Sequence, residues 1–182
     1  MVTPSSWRES YRAQYAYAES MQTELRGHLS KLPTGWYSES RIKEEKSFYQ
    51  KIENGRYVDH TKLEDFLGGL IVVPLPTDVP RALAALDNFY SIRYQRPDDR
   101  DVATFNANAF PFNDIRLYGT FKVDESLPPR PLDEIVFEIQ VKTFFQHAWS
   151  SATHDLIYKN DKFSWTRSRI SAQVKATLEH AE

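Results

Sequence analysis

Residues 69–74 read Gly-Leu-Ile-Val-Val-Pro, a continuous apolar run closed by glycine on one side and proline on the other. It is too short for a helix and lacks polar alternation, so it marks a buried central strand. A chain with such a strand must surround it with other elements. At 182 residues, with 41% hydrophobic and 14% aromatic content, it is long enough for one globular domain with its own core. The expectation is a single domain over residues 1–182.

The flanking segments supply those elements. Residues 5–32 place Trp7, Tyr11, Tyr15, Ala18, Met21, Leu25 and Leu29 near helical spacing after a Thr-Pro-Ser-Ser opening, which predicts a helix with an aromatic face. Pro33, Thr34 and Gly35 break it, and Trp-Tyr-Ser-Glu-Ser-Arg-Ile-Lys then alternates as a short strand ending near Lys43. A second helix follows up to Asn54 and Gly55, and residues 62–66 are expected to make one helical turn. Residues 78–90 return to helical spacing through Val79, Leu83, Leu86 and Tyr90, with Asp78 placed as a cap and Pro80 in the first turn. Over residues 95–113 the pattern dissolves, and a connection of that length without glycine is a candidate substrate loop. Residues 115–123 and 134–141 read as strands around a proline-rich turn. Thr143 opens a helix whose Phe144, Phe145, Ala148, Trp149, Ala152 and Leu156 make a wide apolar face of core type. An amphipathic helix runs from residue 164 to the end, and its pattern stops unfinished, as in a truncated helix or a fragment of a longer chain.

Charge and composition restrict function. With 23 basic and 25 acidic residues the formal charge is -2, so no global field draws in nucleic acid or an anionic membrane, and any anion site is local. Without cysteine there is no disulfide, thiolate zinc site or thiol nucleophile. No apolar stretch has the length of a signal-peptide core or a bilayer span. A soluble, cytoplasmic protein with no membrane partner is expected.

Two groups of residues suggest chemistry. Strand alternation puts Arg41 and Lys43 on one face, and a spacing of four puts Ser47 and Lys51 on one helix face. Three cations converging with a helix N-terminus suit a polyphosphate. A solvated helix whose lysines pair with its own glutamates gives the same pattern and, taken alone, is the commoner origin. Asp65 precedes the buried strand, and Glu138, Gln140 and Lys142 alternate along another. A loop acid and a half-buried sheet face would explain these as well. Together, however, Asp65 and Glu138 are the paired carboxylates that a magnesium ion carrying a nucleoside triphosphate needs. His147 and His154 lack a third ligand at metal spacing, so zinc is not expected. Neither a Gly-x-x-x-x-Gly-Lys-Ser/Thr loop nor a Gly-x-Gly-x-x-Gly turn is present.

Three pieces then act as a set: Arg-Ile-Lys-Glu-Glu-Lys-Ser-Phe-Tyr-Gln-Lys at 41–51, Asp-Phe-Leu-Gly-Gly-Leu-Ile-Val-Val at 65–73, and Glu-Ile-Gln-Val-Lys-Thr at 138–143, followed by His-Ala-Trp and His-Asp-Leu-Ile-Tyr-Lys. In order and spacing, over residues 36–159, they resemble the synthetase domain of the RelA/SpoT family, the alarmone synthetases. The resemblance implies an α+β fold with a nucleotidyltransferase-like mixed β-sheet flanked by helices. It also implies transfer of the β,γ-pyrophosphate of ATP to the 3′-hydroxyl of an acceptor nucleotide such as GDP or GTP. On that resemblance Arg41, Lys43 and Lys51 would hold ATP phosphates with Ser47 close by, and Asp65 would bind Mg2+. Glu138 would assist magnesium placement or activate the acceptor hydroxyl, and Gln140 would line the acceptor pocket. Such chemistry asks for positioning, charge neutralisation and a proton acceptor.

The acceptor side departs from the family's Gly-Tyr-x-Ser-x-His block. Its best match is Pro-Phe-Asn-Asp-Ile-Arg at 111–116, with Pro111 for glycine, Phe112 for the tyrosine that stacks on the base, Asp114 for serine and Arg116 for histidine. A phenylalanine ring still stacks, and Arg116 still suits a phosphate. Asn108 stands for a lysine, and Leu70 for the arginine after the aspartate-glycine segment. Three readings follow: a pyrophosphokinase acting on a nucleotide or an RNA 3′ end, a catalytically inactive nucleotide-binding regulatory domain of the same fold, and an RNA-binding module resting on Arg93, Arg96 and Arg100. Candidate partners are nucleotide substrates, tRNA, a second copy of the chain in a homo-oligomer, and a neutralising antitoxin.

Overall fold

The computed structural model describes residues 4–55, 59–97, 114–123, 126, 128–153 and 164–182. In chain order the elements are α1 (Ser5–Leu29), β1 (Tyr37–Ile42), α2 (Glu45–Glu53), β2 (Leu67–Val73), α3 (Val79–Leu86), β3 (Tyr90–Arg96), β4 (Ile115–Phe121), β5 (Phe137–Thr143), α4 (Phe144–Thr153) and α5 (Trp165–Ala181). The strands form one sheet in the order β1-β2-β5-β4-β3. β2 and β5 run parallel, and the other neighbours are antiparallel. This is the expected α+β architecture, a mixed sheet flanked by helices, with residues 69–73 of the apolar run inside a strand paired on both edges and Pro74 just beyond its end.

Alternation along the strands separates two faces of different chemistry. On β5, Phe137, Ile139, Val141 and Thr143 point one way, and Glu138, Gln140 and Lys142 the other. The first set joins Leu67, Ile71 and Val73 of β2, Leu117 and Phe121 of β4, and Met21, Leu25 and Leu29 of α1 in the main core, which α3 extends with Ala82 and Leu86. Each fully buried side chain of this size contributes about 1.5–3 kcal/mol. Helix α1 comes close because β2 carries glycine beneath it. A Cβ at Gly69 would stand 3.2 Å from Ile139 Cγ1 and 3.4 Å from Leu25 Cδ2. A smaller cluster of Ala18, Phe48, Leu63 and Phe66 fastens α2 to α1 and to the turn before β2.

Four expectations are corrected. Residues 62–66 form no helix; a single Phe66 N–H to Leu63 O bond closes a turn there. The helix expected over 78–90 ends at Leu86, and Tyr90 opens β3, where its ring joins the core and its hydroxyl donates to the Leu117 and Phe137 carbonyls. Apolar spacing alone does not distinguish the last turn of a helix from the first residue of a strand. Asp78 stands at the N-cap position of α3, but its carboxylate makes no cap bond there; it accepts from the Leu75 N–H at 3.2 Å, closing the short turn at Pro76–Asp78. Nor is the face of α4 core: Phe144 is 46% and Phe145 40% exposed, and Ala148 and Ala152 are exposed as well. Trp149 turns toward α5 instead, donating to the Ser171 carbonyl at 3.3 Å. Leu156 lies outside the described residues.

Gly119 marks where β3 meets β4. Pairing shifts by one residue between Ile92 and Tyr94, leaving Arg93 in a bulge. A Cβ at Gly119 would overlap the Ser91 carbonyl oxygen and lie 3.0 Å from Ile92 Cα. The bulge flips the alternation, so Tyr94 reaches the polar face although Tyr90 is in the core. Among the described residues no helix is long and apolar enough to cross a membrane.

Candidate active site

Register decides which side chains share the polar face. One row crosses all five strands: Arg41 opposite Gly68, Gly68 opposite Glu138, Glu138 opposite Tyr118, Tyr118 opposite Tyr94. The next row runs Glu39, Leu70, Gln140, Arg116, Arg96. Gly68 contributes no side chain, and a Cβ added there would find its nearest neighbour, Arg41 Cγ, at 3.8 Å. Arg41 and Glu138 therefore flank a gap two strand spacings wide, about 10 Å.

One end of this face is built around Asp65. It sits in the turn that enters β2, and the Lys43 N–H bonded to Phe66 O at 2.8 Å ties the end of β1 to that turn. Phe48 is buried against Phe66, which brings the following turn of α2 and its Lys51 to the same place. Asp65 Oδ2 accepts both Lys43 Nζ, at 2.9 Å, and Lys51 Nζ. Burial pushes the Asp65 carboxyl up, but Lys43 and Lys51 more than reverse this and hold it below the usual carboxylate range. Lys43 moves the other way: burial pulls its ammonium down, Asp65 opposes that in part, and Lys51 and Arg41 lower it further. The sequence-derived trio of Arg41, Lys43 and Lys51 is thus assembled. Ser47 is exposed on α2 and takes no part in the ion pairs of the cluster.

Asp65 Oδ1 is buried and has no hydrogen-bond partner among the described residues. An unpartnered buried carboxylate oxygen carries a desolvation cost that a ligand would relieve. Among the described residues no three His, Asp or Glu side chains form a cage for a metal. A magnesium ion bound to a nucleotide needs only one or two carboxylates, since waters and substrate phosphates complete its shell. Asp65 fits as such a ligand.

The other end holds Asp114, Arg116, Lys142, Gln140 and Glu138. Asp114 accepts from Arg116 Nε at 3.1 Å and lies 3.6 Å from Lys142 Nζ, which also donates to Ser150 Oγ on α4 at 3.4 Å. Lys142 is therefore neither a free cation nor a solvated edge residue. Burial raises the Asp114 carboxyl, and Lys142 and Arg116 bring it below its ordinary value. Burial lowers Arg116, and its bond to Asp114 more than restores it. Glu138 is 7% exposed; one carboxylate oxygen accepts from Tyr118 and the other from the Gln140 amide. Phe112, Asn108 and Pro111 lie outside the described residues.

Sequence reasoning passed over Tyr118 and Tyr94. Alternation from Arg116 already puts Tyr118 beside it on the polar face, but Tyr94 was hidden by the bulge and by the assignment of Tyr90 to a helix. A separate cleft of about 560 Å³ lies on the α1 side, lined among others by Gln14, Met21, Glu64, Arg93, Glu134 and Phe137. None of Arg41, Lys43, Lys51, Asp65 and Glu138 lines it. The convergence of charge, and not cavity size, singles out the polar face.

Comparisons with known proteins agree with this architecture. The structure resembles a GTP pyrophosphokinase family protein from Streptococcus pneumoniae, with 19% identity, a TM-score of 0.66, and coverage of 98% of this chain and 92% of that one. It likewise resembles the small alarmone synthetase 1 of Bacillus subtilis bound to its product pppGpp, at 15% identity, a TM-score of 0.66 and coverage of 98% and 93%. A third similar structure is the complex between the Type VI effector Tas1 and its immunity protein, at 16% identity, a TM-score of 0.51 and full coverage of both chains (100% and 100%). These likenesses concern the fold. Among curated proteins none matches the chain. At the level of sequence, the profile described as "Region found in RelA / SpoT proteins" matches residues 40–163. That match takes in more than half of the chain and all three of the motif pieces, and by it the protein belongs to the RelA/SpoT family.

Proposed function

We propose that the protein is a magnesium-dependent pyrophosphokinase that moves the β,γ-pyrophosphate of ATP to the 3′-hydroxyl of an acceptor nucleotide, of the GDP or GTP class or at an RNA 3′ end. The observation that carries this is the cluster in which Lys43 and Lys51 share Asp65 beside Arg41, with Asp65 Oδ1 buried and unpartnered, across the Gly68 gap from Glu138. Lys43, whose charge burial disfavours, gains from a polyphosphate placed against it. Arg41 and Lys51 add charge to the same end, and Ser47 lies outside this set.

The two carboxylates take different roles. Asp65 holds Mg2+, which neutralises charge on the phosphates when bound. Glu138, with both oxygens already oriented by donors, faces the acceptor and takes the proton of its 3′-hydroxyl. The acceptor oxygen attacks the β-phosphorus, the bond to the bridging oxygen between the α- and β-phosphorus breaks, and AMP leaves with the bond electrons. Gln140 and Arg116 line the acceptor side, with Phe112 the proposed stacking ring.

The test is to incubate the protein and magnesium with γ-labelled ATP and separate pools of GDP, GTP, ADP, AMP and bulk tRNA, and to resolve the products. Label is expected to reach one acceptor, and Asp65→Asn and Glu138→Gln are expected to lower that transfer by about a hundredfold or more. ATP binding without transfer to any pool would favour the second reading, an inactive regulatory domain. That reading draws on the self-paired acceptor end, in which Asp114 already occupies Arg116 and Lys142. A neutralising protein partner is a corollary for a toxic version of this activity, in keeping with the likeness to Tas1, whose structure is that of a complex with its immunity protein, and is checked by growth arrest on expression.

A further inference from the structure

Glu138 is held by a chain of side chains that core packing does not require. Tyr118, its register partner on β4, is buried, and its hydroxyl donates to Glu138 Oε2. Burial, and after it the Glu138 bond, raise the phenol above its ordinary value. Tyr118 is fixed in turn. The Tyr94 ring stacks on it with centroids 4.7 Å apart at 11°, and the Tyr94 hydroxyl donates to the Glu64 carboxylate. Arg96 covers both rings, its guanidinium carbon 5.5 Å from the centroid of Tyr118 and 5.7 Å from that of Tyr94. Phenylalanine at 94 and 118 would fill the same space; the two hydroxyls each end on a carboxylate.

A glutamate reaches its carboxylate through three rotatable bonds, so without restraint it samples many directions. Gln140 on one oxygen and Tyr118 on the other leave it one orientation in the plane of the row. The side of Glu138 toward β2 is open because Gly68 has no side chain. We propose that Tyr118 is a positioning residue that aims the Glu138 carboxylate at the acceptor hydroxyl, with Tyr94 and Glu64 holding Tyr118 in place. This rests on the pyrophosphokinase reading and assigns to that site a residue outside its three motif pieces.

The experiment compares the full chain with Tyr118→Phe and Tyr94→Phe, using ATP, magnesium and the acceptor identified by label transfer. Tyr118→Phe is expected to lower kcat about tenfold with the KM for ATP unchanged, since misdirecting one reacting group costs rate and not ground-state binding. Tyr94→Phe leaves both bonds to Glu138 in place and is expected to cost about threefold. Melting temperatures recorded in parallel are expected to fall by a few degrees in Tyr118→Phe, which leaves a buried carboxylate oxygen without its donor, and to stay well above the assay temperature, so that lost fold does not account for the lost kcat. If Tyr118→Phe fails to fold, an unchanged kcat in Tyr94→Phe overturns the chain of support. With an active wild type, an unchanged kcat in Tyr118→Phe, or a raised KM at constant kcat, overturns the assignment and leaves the pyrophosphokinase reading intact. A wild type that labels no acceptor overturns that reading and this role with it.

Discussion

The two ends of the polar sheet face treat charge in opposite ways. Around Asp65 the arrangement is incomplete: one carboxylate oxygen is buried without a partner, and Lys43 carries a charge that burial, Lys51 and Arg41 all disfavour. Around Asp114 it is closed: Arg116 and Lys142 both lean on one half-buried carboxylate, and Glu138 has a donor on each oxygen. An incomplete cluster gains free energy when an anion and a cation arrive together, as a magnesium nucleotide does. A closed cluster is rigid and selects by shape and hydrogen bonding, because its cations are already matched. In the proposed reaction the donor is thus taken by charge and the acceptor by fit.

The largest test of that contrast is Asp65→Asn, which removes the proposed metal ligand while keeping its size. Turnover in the label-transfer assay is expected to fall on the order of a hundred- to a thousandfold, the scale for deleting one group that stabilises developing charge. Loss of less than tenfold would deny Asp65 its place in the site. Next in size is a paired comparison by calorimetric titration with ATP. Lys43→Met is expected to weaken ATP binding about tenfold, as for one charge-assisted contact to phosphate. Lys142→Met, at the closed end, is expected to leave ATP affinity unchanged. Equal losses in the two variants would erase the distinction between the ends.

How far the sequence discloses this differs between the ends for physical reasons. The incomplete end is written in local patterns: Arg41 and Lys43 alternate on a strand, Lys51 follows on a helix, and Asp65 lies a few residues before an apolar run. Strand and helix periodicity suffice to gather them, and the structure does gather them, except Ser47. The closed end depends on register between strands distant in sequence. That Tyr118 meets Glu138, or that Asp114 meets Lys142, follows only once β4 pairs with β5. Tyr94 needs in addition the bulge at Arg93, made possible by Gly119, and a local pattern does not reveal a one-residue shift in pairing. The exposed Phe144 and Phe145 show the converse limit, since helical periodicity states that residues share a face but not that anything covers it.

A smaller effect is expected where this chain lacks a family cation. Leu70 lies between Glu39 and Gln140 in the second row, and the resemblance puts an arginine at its position. In Leu70→Arg the new guanidinium has Glu39 beside it to hold it toward the open side. ATP affinity is expected to rise about threefold, with the acceptor KM unchanged. A change in acceptor KM without a change in ATP affinity would mean that the row belongs to the closed end.

The smallest effect concerns stability and acid. Asp65 and Asp114 both have folded-state pKa values below the ordinary carboxyl range, because nearby cations outweigh burial. A carboxyl depressed on folding adds stability that is fully present above its unfolded value of about 3.9, and loses it as pH falls through the folded value. The melting temperature of the wild type should therefore hold near neutral pH and drop below about pH 4. In Asp114→Asn the cations Arg116 and Lys142 lose the carboxylate they share at every pH. That variant should melt about 2 °C or more below wild type at pH 7 and converge on it in acid, where the wild-type carboxyl is protonated too. Adding Mg2+ and ATP sharpens the contrast: it should raise the wild type and Asp114→Asn alike, because the nucleotide engages the other end, but should raise Asp65→Asn less. Melting curves of wild type and Asp114→Asn that stay parallel from pH 7 into acid would show that Asp114 contributes no ionised pairing, and the closed end would lose the feature that separates it from the open one.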